Sequence, residues 1–321
     1  PTPAPAPTPT PAPTPAPAPA PPTPTPAPAP TPTPAPTPAP AETDLTPSPQ
    51  EPGTSDPLLP RIVGRLPSVT CCGLGAFAVA AASVGGRSYA FWGSGHAVIV
   101  TDITDPAFPT TVAELPTPGQ ILRLSLFFEV NRLFVISGVW TRLGYFSVFD
   151  ISDPTSPWLI DSIEMPVDAI WEAYPSLFVS GDQAFIASTV YESDNHTPFM
   201  VIIDVSDPRN LKLTSSTEFS YPGDHWFWYV SVQDNHAYVV SYVNYQTVGV
   251  RLTAIDVSNP SSPKIAGYIE MPGFPAGISI QGKYAFVACM NSGGLQVIDI
   301  SEPSSMRIVN SVVFPDGAYG V

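Results

Sequence analysis

Phe149-Asp150-Ile151-Ser152-Asp153-Pro154 is the stretch that decides the fold, because the chain writes it repeatedly. It returns as Thr101-Asp102-Ile103-Thr104-Asp105-Pro106, as Ile203-Asp204-Val205-Ser206-Asp207-Pro208, as Ile255-Asp256-Val257-Ser258-Asn259-Pro260 and as Ile298-Asp299-Ile300-Ser301-Glu302-Pro303. A worn copy, Ser55-Asp56-Pro57, has Gly53 where the leading Asp belongs. The prolines stand at 57, 106, 154, 208, 260 and 303, so the steps are 49, 48, 54, 52 and 43 residues. Self-similarity at that period marks a repeat architecture.

Working outward from the signature, each repeat reads as four short β-branched runs parted by Gly, Pro, Asn and Ser. The expected strands are 77–82, 88–92, 97–103 and 110–115 in repeat one, and 121–127, 132–137, 145–151 and 158–164 in repeat two. Repeat three gives 176–180, 183–189, 199–205 and 211–219, and repeat four 226–232, 236–242, 248–257 and 264–270. Repeat five gives 276–280, 284–288, 295–300 and 307–313. No stretch follows the 3.6-residue period of an amphipathic helix. Four strands per repeat, set around an axis, is the propeller solution to exposed sheet edges. The expectation is an all-β propeller of four-stranded blades, five of them complete. A lone last-type strand at 60–66 and the start of a further blade after 313 predict a ring of at least six blades, of which this chain is a piece.

The segments VFDISDPTSPWLIDSIEMP, IIDVSDPRN, AIDVSNPSSPKIAGYIEMPG, VIDISEPSSM and ISIQGKYAFVACMNSGGLQVIDIS resemble the LVIVD repeat. The resemblance runs from about residue 55 to 321. It implies a β-propeller of the kind found in secreted or cell-surface proteins of bacteria and archaea. It implies no conserved catalytic machinery and no settled ligand.

Within the signature, the apolar residue continues the strand's inward face and Pro sets φ for the turn. Asp102, Asp150, Asp204, Asp256 and Asp299, at the strand ends, are expected to accept hydrogen bonds from backbone N–H groups in the turn. A Ca²⁺ loop would need more oxygen ligands and a Gly turn, which the motif lacks. Asn259 and Glu302 also replace its second Asp, so a structural role is expected and no metal.

Residues 1–40 contain only Pro, Thr and Ala and hold 21 of the 44 prolines. Such a tract cannot bury enough apolar surface to offset chain entropy. Residues 1–52 are expected to be a disordered or polyproline II spacer, roughly 120 Å long if its Pro-rich part is extended, with the propeller over 53–321. Asp and Glu number 27 against 12 Lys and Arg, a net charge of −15. That excess disfavours nucleic acid and anionic membrane, which need clustered basic residues. No apolar run is long enough for a membrane-spanning helix. Cys71, Cys72 and Cys289 are too few for a disulfide scaffold and read as small buried side chains, although a Cys72–Cys289 bridge is conceivable.

Function on propellers sits in the loops at one end. There the reading gathers Asp168, Trp171 and Glu172, then Glu192, Asp194 and His196, then Asp224, His225, Trp226 and Trp228. Aromatic faces beside carboxylates suit sugars or cations; alternatively Trp226, Phe227 and Trp228 are wedges between blades. No Ser-His-Asp order, nucleophile elbow or phosphate loop appears, so no catalytic residue and no cofactor is assigned. The leading expectation is a non-enzymatic secreted or cell-surface module on a Pro-rich stalk, binding an extracellular protein or glycan. The alternative is a secreted hydrolase or lyase using Asp168, Glu172, Asp224 and His225.

Overall fold

The computed structural model describes residues 79–314 and 317–318, apart from 128–130, 140–141, 167–174, 193–194, 221–224, 244–248 and 292. The expected spacer and the expected lone strand at 60–66 lie outside the described residues.

Among the described residues, twenty strands form five separate antiparallel sheets, each with its strands in chain order. Blade 1 holds β1 (Val79–Val84), β2 (Arg87–Ser94), β3 (Ala97–Asp102) and β4 (Thr110–Pro116). Blade 2 holds β5 (Gln120–Phe127), β6 (Arg132–Val139), β7 (Arg142–Asp150) and β8 (Trp158–Glu164). Blade 3 holds β9 (Ser176–Ser180), β10 (Gln183–Glu192), β11 (Asn195–Asp204) and β12 (Lys212–Glu218). Blade 4 holds β13 (His225–Gln233), β14 (His236–Val243), β15 (Gly249–Asp256) and β16 (Lys264–Met271). Blade 5 holds β17 (Phe274–Gln281), β18 (Tyr284–Met290), β19 (Gly294–Asp299) and β20 (Arg307–Val312). The first strands β1, β5, β9, β13 and β17 neighbour one another in that order.

Alternation along each strand sends one set of side chains to the preceding blade and one to the next. Leu133 and Val135 of β6 join Phe91 and Val98 of blade 1, whereas Phe134 and Ile136 join Ile186 and Val201 of blade 3. Four such cores bind the five blades together. This is why the central strands carry apolar residues on both faces and read as blocks in the sequence.

The signature turns occupy one end of every blade. The carboxylates of Asp102, Asp150, Asp204, Asp256 and Asp299 each accept the backbone N–H two residues on, at 2.8–3.1 Å. The following residue donates its N–H at 2.8–2.9 Å, from Ile151, Val205, Val257 and Ile300 to the turn between the first and second strands and from Ile103 to Ser88 near the start of β2. Asp105, Asp153, Asp207 and Asn259 accept a further N–H at 3.0–3.3 Å. At Glu302 the longer side chain makes no such cap, and a short 3-10 turn over Pro303–Ser305 takes its place.

Just before each signature Asp, the ladder to the last strand slips by one residue. A bulge leaves an extra residue and strengthens the local twist. In β8 the extra residue is Ile160, which packs into the core with blade 3. The next residue, Asp161, accepts the N–H of Leu211 in blade 3's signature turn at 3.0 Å. Ser215 holds the same place in β12 and donates to the Pro260 carbonyl of blade 4 at 2.7 Å. Gly267 holds it in β16; a Cβ there would stand 2.9 Å from Ser304 Cα and closer still to the Pro303 carbonyl of blade 5. Three chemically unlike residues thus seat the last strand of one blade on the next blade's signature turn.

Blade 5 ends the described series. β20 is exposed along its whole length, and its equivalent pair Val309-Asn310 faces outward. The chain leaves β20 as it leaves β4. Gly317 bridges Met290 and Ala318 donates to Cys289, as Thr117 donates to His96 and Ile121 to Gly95 over blade 1.

Candidate functional site

At the end opposite the signature turns, the β10–β11 hairpin is longer than expected. Its strands run on to Glu192 and Asn195, and Pro198 lies within β11 opposite Thr189. A proline inside a strand usually signals an edge or a break, so the sequence reads a loop over 190–198. Here Pro198 still supplies its carbonyl, which accepts the N–H of Phe219 at 2.8 Å. The extension lifts His196 onto a strand at the rim.

Beside it, β13 begins at His225 and is tied to blade 3. Phe227 N–H donates to Thr189 Oγ1 at 2.8 Å, and Val230 N–H to Ser176 Oγ at 3.0 Å. A bulge falls at Trp228, between Phe227 and Tyr229. Blades 2 and 5 slip at the same point, around Leu122 and Ala276. Phe227 therefore turns into the core between blades 3 and 4, 6.0 Å from the Phe219 ring, and is a wedge. Trp226 and Trp228 remain half-buried.

The result is a connected line of rings across three blades. The His196 and Trp226 centroids are 4.8 Å apart and span blades 3 and 4. Trp226 and Tyr242 stand 6.5 Å apart within blade 4. Tyr242 meets Phe274 of blade 5 at 4.6 Å, and Trp228 meets the same ring edge-on at 5.0 Å. Tilted and edge-to-face pairs at these separations are the favoured aromatic geometries. Tyr242 is buried, so it supports the line, while Trp226, Trp228 and Phe274 keep accessible surface. Arg251 adds a cation to blade 4, with its guanidinium 2.7 Å from Glu270 and 4.2 Å above the Tyr268 ring.

Of the residues singled out in the sequence, His196, Trp226 and Trp228 come together here. Glu192 pairs with Asn195 and His225 with Val243 along their strands. Asp168, Trp171, Glu172, Asp194 and Asp224 lie outside the described residues. Tyr242, Arg251 and Phe274 were not singled out, because nothing local distinguishes them from core residues at strand ends. Among the described residues no group of three or more His, Cys, Asp or Glu could hold a metal ion. Cys289 is a free, buried thiol, and burial pushes its pKa up to about 11, whereas Cys71 and Cys72 lie outside the described residues.

The electrostatics at the other end are structural. Hydroxyls two residues on (Thr104, Thr155, Ser206, Ser258 and Ser301) hold the carboxyls of Asp102, Asp153, Asp204, Asp256 and Asp299 below the usual aspartate range. Arg307, 2.9 Å from Asp299, adds to that effect.

Five sequential four-stranded sheets joined face to face along their first strands define a β-propeller protein. The chain belongs to the LVIVD-repeat family, whose model matches residues 141–164, 175–218, 227–270 and 272–313. No curated protein matches the chain significantly. Among solved structures, a functionally unknown protein of Desulfotomaculum acetoxidans is similar with a TM-score of 0.58 and 14% identity, over 81% of this chain and 78% of that one. The periplasmic gluconolactonase PpgL of Pseudomonas aeruginosa is similar with a TM-score of 0.54 and 14% identity, over 73% of this chain and 69% of its own. At this identity the likeness concerns the fold. No described helix is long and apolar enough to cross a membrane.

Proposed function

We propose that the chain is a non-enzymatic binding propeller, displayed outside the cell on the stalk formed by residues 1–52. It takes an extracellular glycan or protein segment on the aromatic rim of blades 3 to 5. The observation that carries this reading is the line His196–Trp226–Tyr242–Phe274–Trp228, whose outer rings stay accessible although the inner ones are packed. Indole faces stack on sugar rings or on a partner's side chains, and their rigidity keeps the ordering cost low. The surplus of acidic residues keeps such a surface off nucleic acid and anionic lipid. The family resemblance and the periplasmic relative in fold support the extracytoplasmic location.

The test is binding of the full chain to immobilised glycans and to cell-surface extracts, with Trp226→Ala and Trp228→Ala as variants. Each variant should weaken binding by about tenfold or more, the range of an interface anchor, while melting stays close to that of the parent. Undiminished binding in both variants would remove the rim from the account.

The fold likeness to a protein named as a gluconolactonase supports a second reading, a secreted propeller hydrolase or lyase using Asp168, Glu172, Asp224 and His225. Lactone turnover by the full chain that disappears with Asp224→Asn or His225→Gln would favour it.

A further inference from the structure

Blade 4 alone carries a charge at a strand position that is otherwise uncharged. Five residues before the signature Asp the blades hold Ala97, Tyr145, Phe199, Arg251 and Gly294. Along β15, Val250, Leu252 and Ala254 enter the core with blade 5, so Arg251 and Thr253 face blade 3, on the side of Ile255. The His196–Trp226 pair bridges the same joint at the rim.

Arg251 is buried, with 8% of its side chain exposed, and burying an arginine is costly unless its charge is met. What meets it is not buried. The guanidinium lies 2.7 Å from Glu270 Oε1, whose side chain is 65% exposed, and 4.2 Å above the ring of Tyr268, which is 56% exposed. An ion pair whose acid stands in water is weakly held and exchanges readily. Thr253 lies opposite Tyr268 on the same face. It is fully buried, and its hydroxyl has no hydrogen-bond partner among the described residues. A buried cation behind a displaceable carboxylate, with an unspent donor beside it, is the donor set that an incoming carboxylate needs.

We infer that Arg251 is a carboxylate-binding residue of the rim, held by Glu270 until a ligand's carboxylate replaces it, and that the glycan taken there carries uronic acid residues. This rests on the reading of the rim as a binding surface. One carboxylate takes the place of another, so the buried guanidinium is never left unpaired and the net charge of −15 does not bar the ligand. The incoming group receives the Arg251 fork and the Thr253 hydroxyl while Glu270 turns to solvent. A uronic acid carries its carboxyl on the sugar ring itself, so the ring covers the exposed tyrosine when the carboxylate meets the arginine. An Asp or Glu side chain brings the carboxylate without a ring.

The test is calorimetric titration of the full chain with trimers of galacturonic, glucuronic and mannuronic acid, each beside its neutral hexose counterpart. At least one acid trimer should bind about tenfold or more tightly than its counterpart, the worth of one charge-assisted pair. Glu270→Gln should tighten the acid trimer about threefold and leave the neutral one unchanged. Arg251→Met should abolish the preference. Should Arg251→Met fail to fold, Arg251→Lys, which keeps the charge but not the fork, should weaken the acid trimer about fivefold and spare the neutral one. Absent binding of every acid trimer, or a Glu270→Gln protein that binds them no better, overturns the inference. So does a poly-aspartate peptide that binds more tightly than every trimer. Neutral trimers that bind as well as acid ones, and are lost in Trp226→Ala, would leave the rim standing and this inference fallen.

Discussion

The seating of one blade on the next can be tested most directly at Gly267. Its missing side chain lets β16 lie against the Pro303–Ser304 backbone, where a Cβ would come within 2.9 Å of Ser304 Cα. Gly267→Val places three carbons in that space, and the obstacle is backbone, which cannot rotate away. Overpacking of this kind costs about 1–3 kcal/mol, with valine towards the upper end. Losing a glycine also restrains the unfolded chain and returns about 0.4–1 kcal/mol. The clash wins, and the net loss is about 2 kcal/mol. For a folded unit of this size that lowers Tm by about 4–8 °C. The assay is thermal and urea unfolding of Gly267→Val beside Asn310→Ala. Asn310 holds the equivalent place in β20 but is exposed, so its substitution should stay within about 0.5 kcal/mol of the parent. A Gly267→Val protein that melts with the parent, or an Asn310→Ala protein that melts as early as Gly267→Val, would refute the reasoning.

Three further outcomes follow from the same packing and turns. Because Asp102, Asp153, Asp204, Asp256 and Asp299 are held below their ordinary pKa, their stabilisation is complete above the usual aspartate range. It is lost as pH falls through the depressed values, so Tm should be flat from neutrality down to about pH 5 and drop below about pH 4; a Tm that rose on acidification would contradict the turn geometry. Phe146, fully buried between blades 2 and 3 and 5.8 Å from Phe134, should cost about 3–5 kcal/mol as Phe146→Ala, whereas the exposed Val312→Ala should cost under about 1 kcal/mol, both measured by urea unfolding. The Cys289 thiol, with its pKa near 11, should resist alkylation at pH 8 until the chain is unfolded, and rapid labelling of the native protein would place it outside the core between blades 4 and 5.

Turn chemistry is local, and this is why the repeat was readable. Asp, a hydroxyl residue and Pro within five positions specify a turn whose bonds close among neighbours, and short β-branched blocks between such turns specify strands. The ends of the strands were less legible. Pro198 and Pro275 argue for loops, yet both lie in strands at the rim because their neighbours complete the ladders. The recurrent bulge before each signature Asp was invisible, since Ile160-Asp161, Thr214-Ser215 and Ala266-Gly267 share no residue type. What they share is a partner in the next blade.

The same division runs through the site. Trp226, Phe227 and Trp228 stand out as an aromatic run, but adjacency says nothing about direction. Only the ties from Thr189 and Ser176 and the bulge at Trp228 send Phe227 into the core and leave the indoles at the rim. Tyr242 and Phe274 join them from strands 14 and 46 residues beyond the end of the run. Sequence alone determined the period, the four strands of each blade and the turn that ends the third, because those depend on residues within hydrogen-bonding reach along the chain. Which rings meet and which position seats a blade on its neighbour were decided by tertiary structure. Those contacts join residues 16 to 50 positions apart on different strands, and such a partner leaves no mark on the local pattern.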